Sequence, residues 1–196
     1  MRKIKTDELP PSKTVLLLVD FVNPLRFDGA AQLAPSAVDA ARCTSALRRQ
    51  LAPTGVRTIY ANDNYGIWTS DFKALWSECA AMSGAAGLIA SRLRPTKKDF
   101  ALLKPRHSAF YATPLDILLG QLRCKQLIVT GIAADSCVLF SAMDAYLRGY
   151  ALWVPVDCVA AESQEARDKA LEHMQRVLKA DVRPSVAKRK SVQRRT

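Results

Sequence analysis

The hydrophobic residues of this chain fall into two kinds of segment that alternate along it. Short, nearly unbroken apolar blocks of strand length are followed by longer stretches whose apolar positions recur with a helical period. The blocks are Lys13–Asp20 (KTVLLLVD), Val56–Ala61, Asp99–Lys104 (DFALLK), Gln126–Thr130, Ala151–Val154 and a short last one over Ala180–Arg183. Blocks without polar alternation suit strands covered on both faces. Between them the spacing predicts a helix over Pro35–Leu51 and two short helices between Thr69 and Arg92, broken at Gly84 and Gly87. Further helices follow from Thr113 to Leu122, from Ala134 to a stop at Gly149, and, amphipathic, over Ser163–Leu178. Strands alternating with helices imply an α/β fold: a three-layer α/β/α sandwich with a mainly parallel, Rossmann-like sheet of about six strands.

In an open parallel sheet the ligand crevice lies beyond the carboxyl ends of the strands, which directs attention to the residues standing there. Asp20 closes the first block and Lys104 the third. After the block Gln126–Thr130, Gly131 reads as a turn, and Cys137 falls at the start of the next helix. Unpaired N–H groups and the positive end of a helix dipole favour a thiolate at such a place. Each residue also has a plainer reading. An aspartate after a strand is commonly a turn or helix cap, and a lone cysteine is commonly inert packing.

Length and composition narrow the field. At 196 residues the chain suits one substantial core, a single domain over 1–185 followed by a basic tail at 186–196. The amino-terminal MRKIKTDELPPSK has no apolar segment behind it of the kind a secretory signal needs. No apolar run approaches the roughly 20 residues that cross a bilayer, so no membrane association is expected and a cytoplasmic location is the default. Cys43, Cys79, Cys124, Cys137 and Cys158 are odd in number and widely spaced, as free thiols in a reducing compartment would be. The net charge of +11 suggests nucleic acid, but six of the basic residues crowd the last fourteen positions without one acid. That concentration leaves an ordinary charge for the body, and nucleic acid is not the expected partner.

Three stretches together carry a family likeness: LLLVDFVNP around Asp20, LLKPRHSAFYATPLD around Lys104, and VTGIAADSCVLFSAMDAYLRGY around Cys137. With them the chain resembles the isochorismatase-like cysteine hydrolases, a superfamily that includes nicotinamidases, carbamoylsarcosine amidase and ureidoacrylate-type amidohydrolases. The resemblance runs from Thr14 to about Ser185. It implies a catalytic triad of Asp20, Lys104 and Cys137, a cis peptide between Ile132 and Ala133, and an oxyanion hole made by the N–H groups of Ala133 and Cys137. It also implies a small amide substrate and a homo-oligomer, dimer or tetramer. Nicotinamidases of this superfamily hold a metal through an aspartate and two histidines in the loop after the second strand. Here that loop reads NDNYGIW, with Asp63 present and Tyr65 where the first histidine would stand. One carboxylate without imidazole partners is a poor zinc site, so no metal and no other cofactor is expected.

Residues of the intervening loops are candidates for the substrate pocket. Asn62, Asp63 and Tyr65 either shape it or serve as turn chemistry. His107 either touches substrate or bonds to backbone, the latter being the more frequent role. Phe21, Trp68 and Phe110 are candidate walls, although core packing is the commoner fate of aromatic side chains, and Asn23 is a candidate contact. His173, on the last helix, reads as a surface residue, and Cys43, Cys79, Cys124 and Cys158 as structural. A thiol nucleophile argues against cleavage of a vinyl ether, the reaction of isochorismatases proper. The competing reading is a nucleic-acid-associated protein or binding pseudoenzyme on the same fold that uses the basic tail.

Overall fold

Thr14–Val19 forms β1, and each residue from Val15 to Val19 is wholly buried. Such a strand belongs in the middle of a sheet, and it lies there, with β2 (Arg57–Asp63) on one side and β4 (Gln126–Ile132) on the other. The computed structural model describes residues 9–185; the basic tail at 186–196 lies outside them. β3 (Phe100–Lys104) and β5 (Ala151–Trp153) complete the order β3-β2-β1-β4-β5, and β6 (Val159–Ala160) pairs with the end of β4. Every pairing is parallel.

Alternation along β1 divides the core. Val15, Leu17 and Val19 face α4 (Leu115–Gln121), α5 (Leu139–Leu147) and α6 (Gln164–Leu178). Leu16 and Leu18 face α1 (Ala30–Leu51), α2 (Phe72–Ala81) and α3 (Gly84–Arg92). The three-layer α/β/α sandwich predicted from the hydrophobic pattern is the fold observed. None of the helices among the described residues is long and apolar enough to cross a membrane.

Four local readings need correction. α1 begins at Ala30, after Gly29 at φ 88°, so Pro35 lies inside the helix rather than at its start. Burial of Ala30 and Leu33 holds that first turn although the proline removes one N–H donor. Gly87 does not break a helix but sits within α3, where an added Cβ would lie 1.9 Å from the Met82 carbonyl oxygen. It permits the close approach of the preceding chain. Gly131 is no turn either. It belongs to β4 at φ 136°, and a Cβ there would stand 2.0 Å from the carbonyl oxygen of Val19. The block at Ala180–Arg183 contributes only an isolated bridge, Asp181 to Trp153, while β6 replaces it as the sixth strand.

These glycines yield a paired test. Gly131→Ala should lower unfolding free energy by more than about 3 kcal/mol, through collision with β1 and a left-handed backbone. Gly120→Ala in α4, where a Cβ meets no atom within 4 Å, should raise it by about 0.5–1 kcal/mol. Urea unfolding of both variants measures the two opposite signs.

Candidate active site

The strand register sets the site. Val19 pairs with Ala61 and with Gly131, and Asp63 pairs with Lys104, so the carboxyl ends of β1 to β4 finish close together. From β1 the chain runs through β2 and β3 to one edge, and from β4 through β5 to the other. Loops diverge at such a reversal and leave a crevice between β1 and β4. Asp20 follows β1, Lys104 ends β3, and Cys137 follows β4 in a single wide turn, Ala134–Val138, that leads into α5.

These three residues, far apart in sequence, are in contact. Asp20 takes a left-handed conformation, φ 51°, with its amide bonded to the Ala61 carbonyl at 3.0 Å. Its Oδ1 accepts the Asp63 amide at 2.7 Å, and its Oδ2 meets Lys104 Nζ at 2.7 Å. The Lys104 side chain has no exposed surface. Its ammonium has three N–H donors, and it meets the Arg106 carbonyl at 3.2 Å and Cys137 Sγ at 3.5 Å besides Asp20. Asp63 Oδ2 lies further off, 3.9 Å from Nζ.

The protonation states follow from burial and neighbours. Burial raises the Asp20 carboxyl above its usual range, against the pull of the Lys104 ammonium and the hydrogen bond from Cys137. Burial alone would lower Lys104, but its neighbours, the Asp20 carboxylate foremost, outweigh it and the net shift is upward. The Cys137 thiol is pushed up to about 12, first by burial and then by the Asp20 charge, with Lys104 opposing. The resting sulfur is therefore a thiol. This corrects the expectation from the sequence that the helix start would favour a thiolate. A dipole effect, typically 0.3–1 kcal/mol, is small beside desolvation next to a carboxylate.

The elbow carrying Cys137 is fixed through its backbone. The Ala133 carbonyl accepts from the amides of Ser136 and Val138, both at 3.1 Å, and the Ile132–Ala133 peptide is cis. Ser141, one helical turn further on and wholly buried, donates to the Cys137 carbonyl at 2.7 Å and accepts from the Ala109 amide at 2.9 Å. It ties the elbow to the loop after Lys104. The sequence reading missed Ser141, whose signal was a polar residue on the buried side of an otherwise apolar helix. That helix buries Ser141, Ala142 and Ala145, whereas Phe140, Met143 and Leu147 are exposed.

Of the pocket candidates, Asp63, Tyr65 and His107 stand around this cluster. His107 Nδ1 is 3.6 Å from Cys137 Sγ and its ring packs on Phe140, so its position is beside the sulfur rather than in a backbone bond. The Tyr65 phenol is raised by burial first, then by the charges of Asp20 and Asp63 and by Cys137. Its amide donates to Asp63 Oδ1 at 2.6 Å, which holds the residue beside the cluster although it is 42% exposed. Five candidate contacts are corrected. Phe21 and Phe110 are buried in the two halves of the core, and Trp68 is 80% exposed. Asn62 is wholly buried and donates to the Val22 carbonyl at 2.7 Å. Strand alternation sends it to the face opposite Asp63, so it holds the loop after Asp20 from beneath. Asn23 Oδ1 accepts the Leu25 amide at 2.7 Å, a local turn.

The donor set does not fit a metal. Asp63 Oδ1 accepts the Tyr65 amide at 2.6 Å, while Oδ2 faces the Lys104 ammonium, a cation already in place. Among the described residues no group of three or more His, Cys, Asp or Glu side chains is arranged to hold a metal ion. The five cysteines are free, with Cys79, Cys124 and Cys158 buried and Cys43 partly so.

A parallel sheet between two helical layers, with a buried polar cluster at its reversal point, places these side chains where open α/β folds bind their ligands. The isochorismatase domain family model matches residues 14–182, and the chain belongs to that family. It is 38% identical over 167 residues to the uncharacterized isochorismatase family protein YaaI of Bacillus subtilis, spanning 85% of this chain and 91% of that one. The structure of N-carbamoylsarcosine amidase from Thermoplasma acidophilum is similar with a TM-score of 0.68 at 27% identity, over 89% of this chain and 98% of that one. The nicotinamidase SaPncA from Staphylococcus aureus has a TM-score of 0.69 at 22% identity, over 89% and 99%, a likeness of fold.

Removing the buried cation tests the electrostatics. Lys104→Met should destabilise the protein by about 3–5 kcal/mol at neutral pH, because Asp20 is left charged and unpaired. Without its cation Asp20 is raised still further, so it binds its proton more tightly in the folded state. The deficit then shrinks as pH falls through that pKa. Urea unfolding at neutral and mildly acidic pH measures both effects.

Proposed function

We propose that this protein is a metal-independent cysteine amidohydrolase that cleaves a C–N bond of a small amide or carbamoyl compound through a thioester on Cys137. The observation that supports it most is the contact of one buried ammonium, Lys104 Nζ, with Asp20 Oδ2 at 2.7 Å and Cys137 Sγ at 3.5 Å. The likeness to N-carbamoylsarcosine amidase supports the class of bond attacked.

The chemistry passes one proton at a time through Asp20, the thiol's to the leaving nitrogen and then one from water back to the sulfur. The resting pair is a Cys137 thiol and an Asp20 carboxylate, and the upward shift of Asp20 makes it a stronger base than an ordinary carboxylate. As sulfur attacks the carbonyl carbon, the thiol proton passes to Asp20, and the carbonyl electron pair moves onto oxygen. The N–H groups of Ala133 and Cys137 are the proposed donors to that oxyanion. Collapse breaks the C–N bond, Asp20 returns the proton to the leaving nitrogen, and ammonia or an amine departs. Water then attacks the thioester with Asp20 as base, which releases the acid and restores the thiol. Lys104 stays protonated throughout, because its raised pKa keeps the positive charge that offsets each anionic stage. Asp63, Tyr65 and His107 are the proposed substrate contacts.

Ammonia release from a panel of small amides and carbamoyl compounds tests the reading. Cys137→Ala should abolish turnover of the best substrate, a loss of at least about 10³-fold. Asp20→Asn should lose about 10²–10⁴-fold. A Cys137→Ala variant as fast as the parent would refute the nucleophile. The rate should fall on the acid side as Asp20 is protonated, with a midpoint above the ordinary carboxyl value of 3.8. A chelator should leave the rate unchanged, and loss restored by zinc would contradict the metal-free site.

A further inference from the structure

At the opposite end of the strands lies a cleft that this chemistry does not use. It has a volume of about 690 Å³, within the range of small-molecule sites, and opens between the last turn of α1, the end of α3 and the starts of β2 and β3. Five cations line it: Arg48, which is ion-paired to Asp99, and four others, Arg49, Arg57, Arg92 and Lys98. Among the described residues none of the four pairs with a carboxylate. The one acid lining the cleft among the described residues, Asp99, is already committed. Its Oδ2 meets Arg48 in a nearly buried ion pair and also accepts the Thr96 amide.

Helix ends do not explain this set. Arg49 and Arg92 lie in the last turns of α1 and α3, where a cation complements the helix dipole. Arg57, however, heads β2, and Lys98 lies in the loop before β3. Four like charges around one concavity repel each other, and low-dielectric walls focus their field into it. A bound polyanion would relieve that repulsion. Guanidinium groups suit phosphate because their forked donors match its oxygens. Pro10, Pro11 and Val56 supply an apolar wall against which the rest of such a ligand could lie.

We propose that this cleft binds a small phosphate-bearing anion of nucleotide size. β2 runs from Arg57 in the cleft to Asp63 near the Lys104 ammonium, which separates the two sites by about 20 Å along the strand. The inference stands whether or not the protein hydrolyses amides.

Isothermal titration of the full chain at low salt, with pyrophosphate, ADP and adenosine as probes, tests it. Pyrophosphate and ADP should bind one to one with an affinity that falls as salt rises, and adenosine should not saturate. The exposed pair Arg92→Gln with Lys98→Gln should weaken ADP by about tenfold or more, the size of one lost charge-assisted hydrogen bond. Arg57→Glu should weaken it further, with a thermal melt by circular dichroism to show that each variant is folded. Absence of binding by both anions overturns the proposal, as does binding undiminished in the folded Arg92→Gln, Lys98→Gln variant. So does displacement of ADP by a single-stranded oligonucleotide at far lower concentration, which would make the occupant a polynucleotide.

Discussion

The ammonium of Lys104, shut away from water, constrains everything around it. A buried charge is tolerated only where its donors are met and an opposite charge lies close. Asp20, the Arg106 carbonyl and Cys137 supply those partners from three separate parts of the chain. For that to happen β3 must pair with β2 so that Lys104 lies opposite Asp63, and β1 must end where Asp20 can reach across. A slip of one residue in either strand would send the side chain to the other face of the sheet. The register of the sheet and the composition of the site are thus one problem with one solution.

The close approach of β4 to β1 serves the same end. Gly131 lies against the backbone of Val19, the residue before Asp20, and only a residue without a Cβ allows that distance. It brings the Cys137 elbow to the carboxylate. Below the sheet's edge Asn62 holds the loop after Asp20, and Ser141 holds the elbow to the loop after Lys104. Polar side chains that never touch the sulfur therefore determine where it stands. The two poles of the sheet contrast in their electrostatics. At the carboxyl ends the Lys104 ammonium is buried against the Asp20 carboxylate, while at the amino ends four cations share a cleft whose one acid among the described residues is already paired with a fifth, Arg48.

Much of the fold was legible because unbroken apolar blocks such as Val15–Val19 have no alternative but burial on both faces, and the intervening helical periods have none but to cover them. Glycine and proline were the main sources of error. Gly131 and Gly87 were read as breaks because local chemistry treats glycine as flexibility, whereas here it provides room for a neighbouring backbone. Pro35 was read as a helix start, but burial of Leu33 draws the helix back past it. In the site, Asp20, Lys104 and Cys137 were found from their places at strand ends and from the family likeness of the stretches around them. Phe21 and Asn62 were misplaced because neighbours along a chain at a strand end point in opposite directions, and the sequence does not say which one faces the crevice; Phe110 was misplaced because its loop folds it into the core.

Residue order alone determined the α/β class, the approximate positions of most strands and helices, and which residue types would stand at the strand ends. Those properties are local, since they depend on period, on apolar block length and on turn chemistry within a few residues. Tertiary structure alone decided that β1 lies between β2 and β4, that Tyr65 and His107 join the cluster while Trp68 does not, and that the sulfur rests as a thiol. These depend on distances between atoms remote in sequence and on how much water the packed chain excludes. A carboxylate and an ammonium change the state of a thiol only when folding has brought them within a few ångströms of it in a dry place.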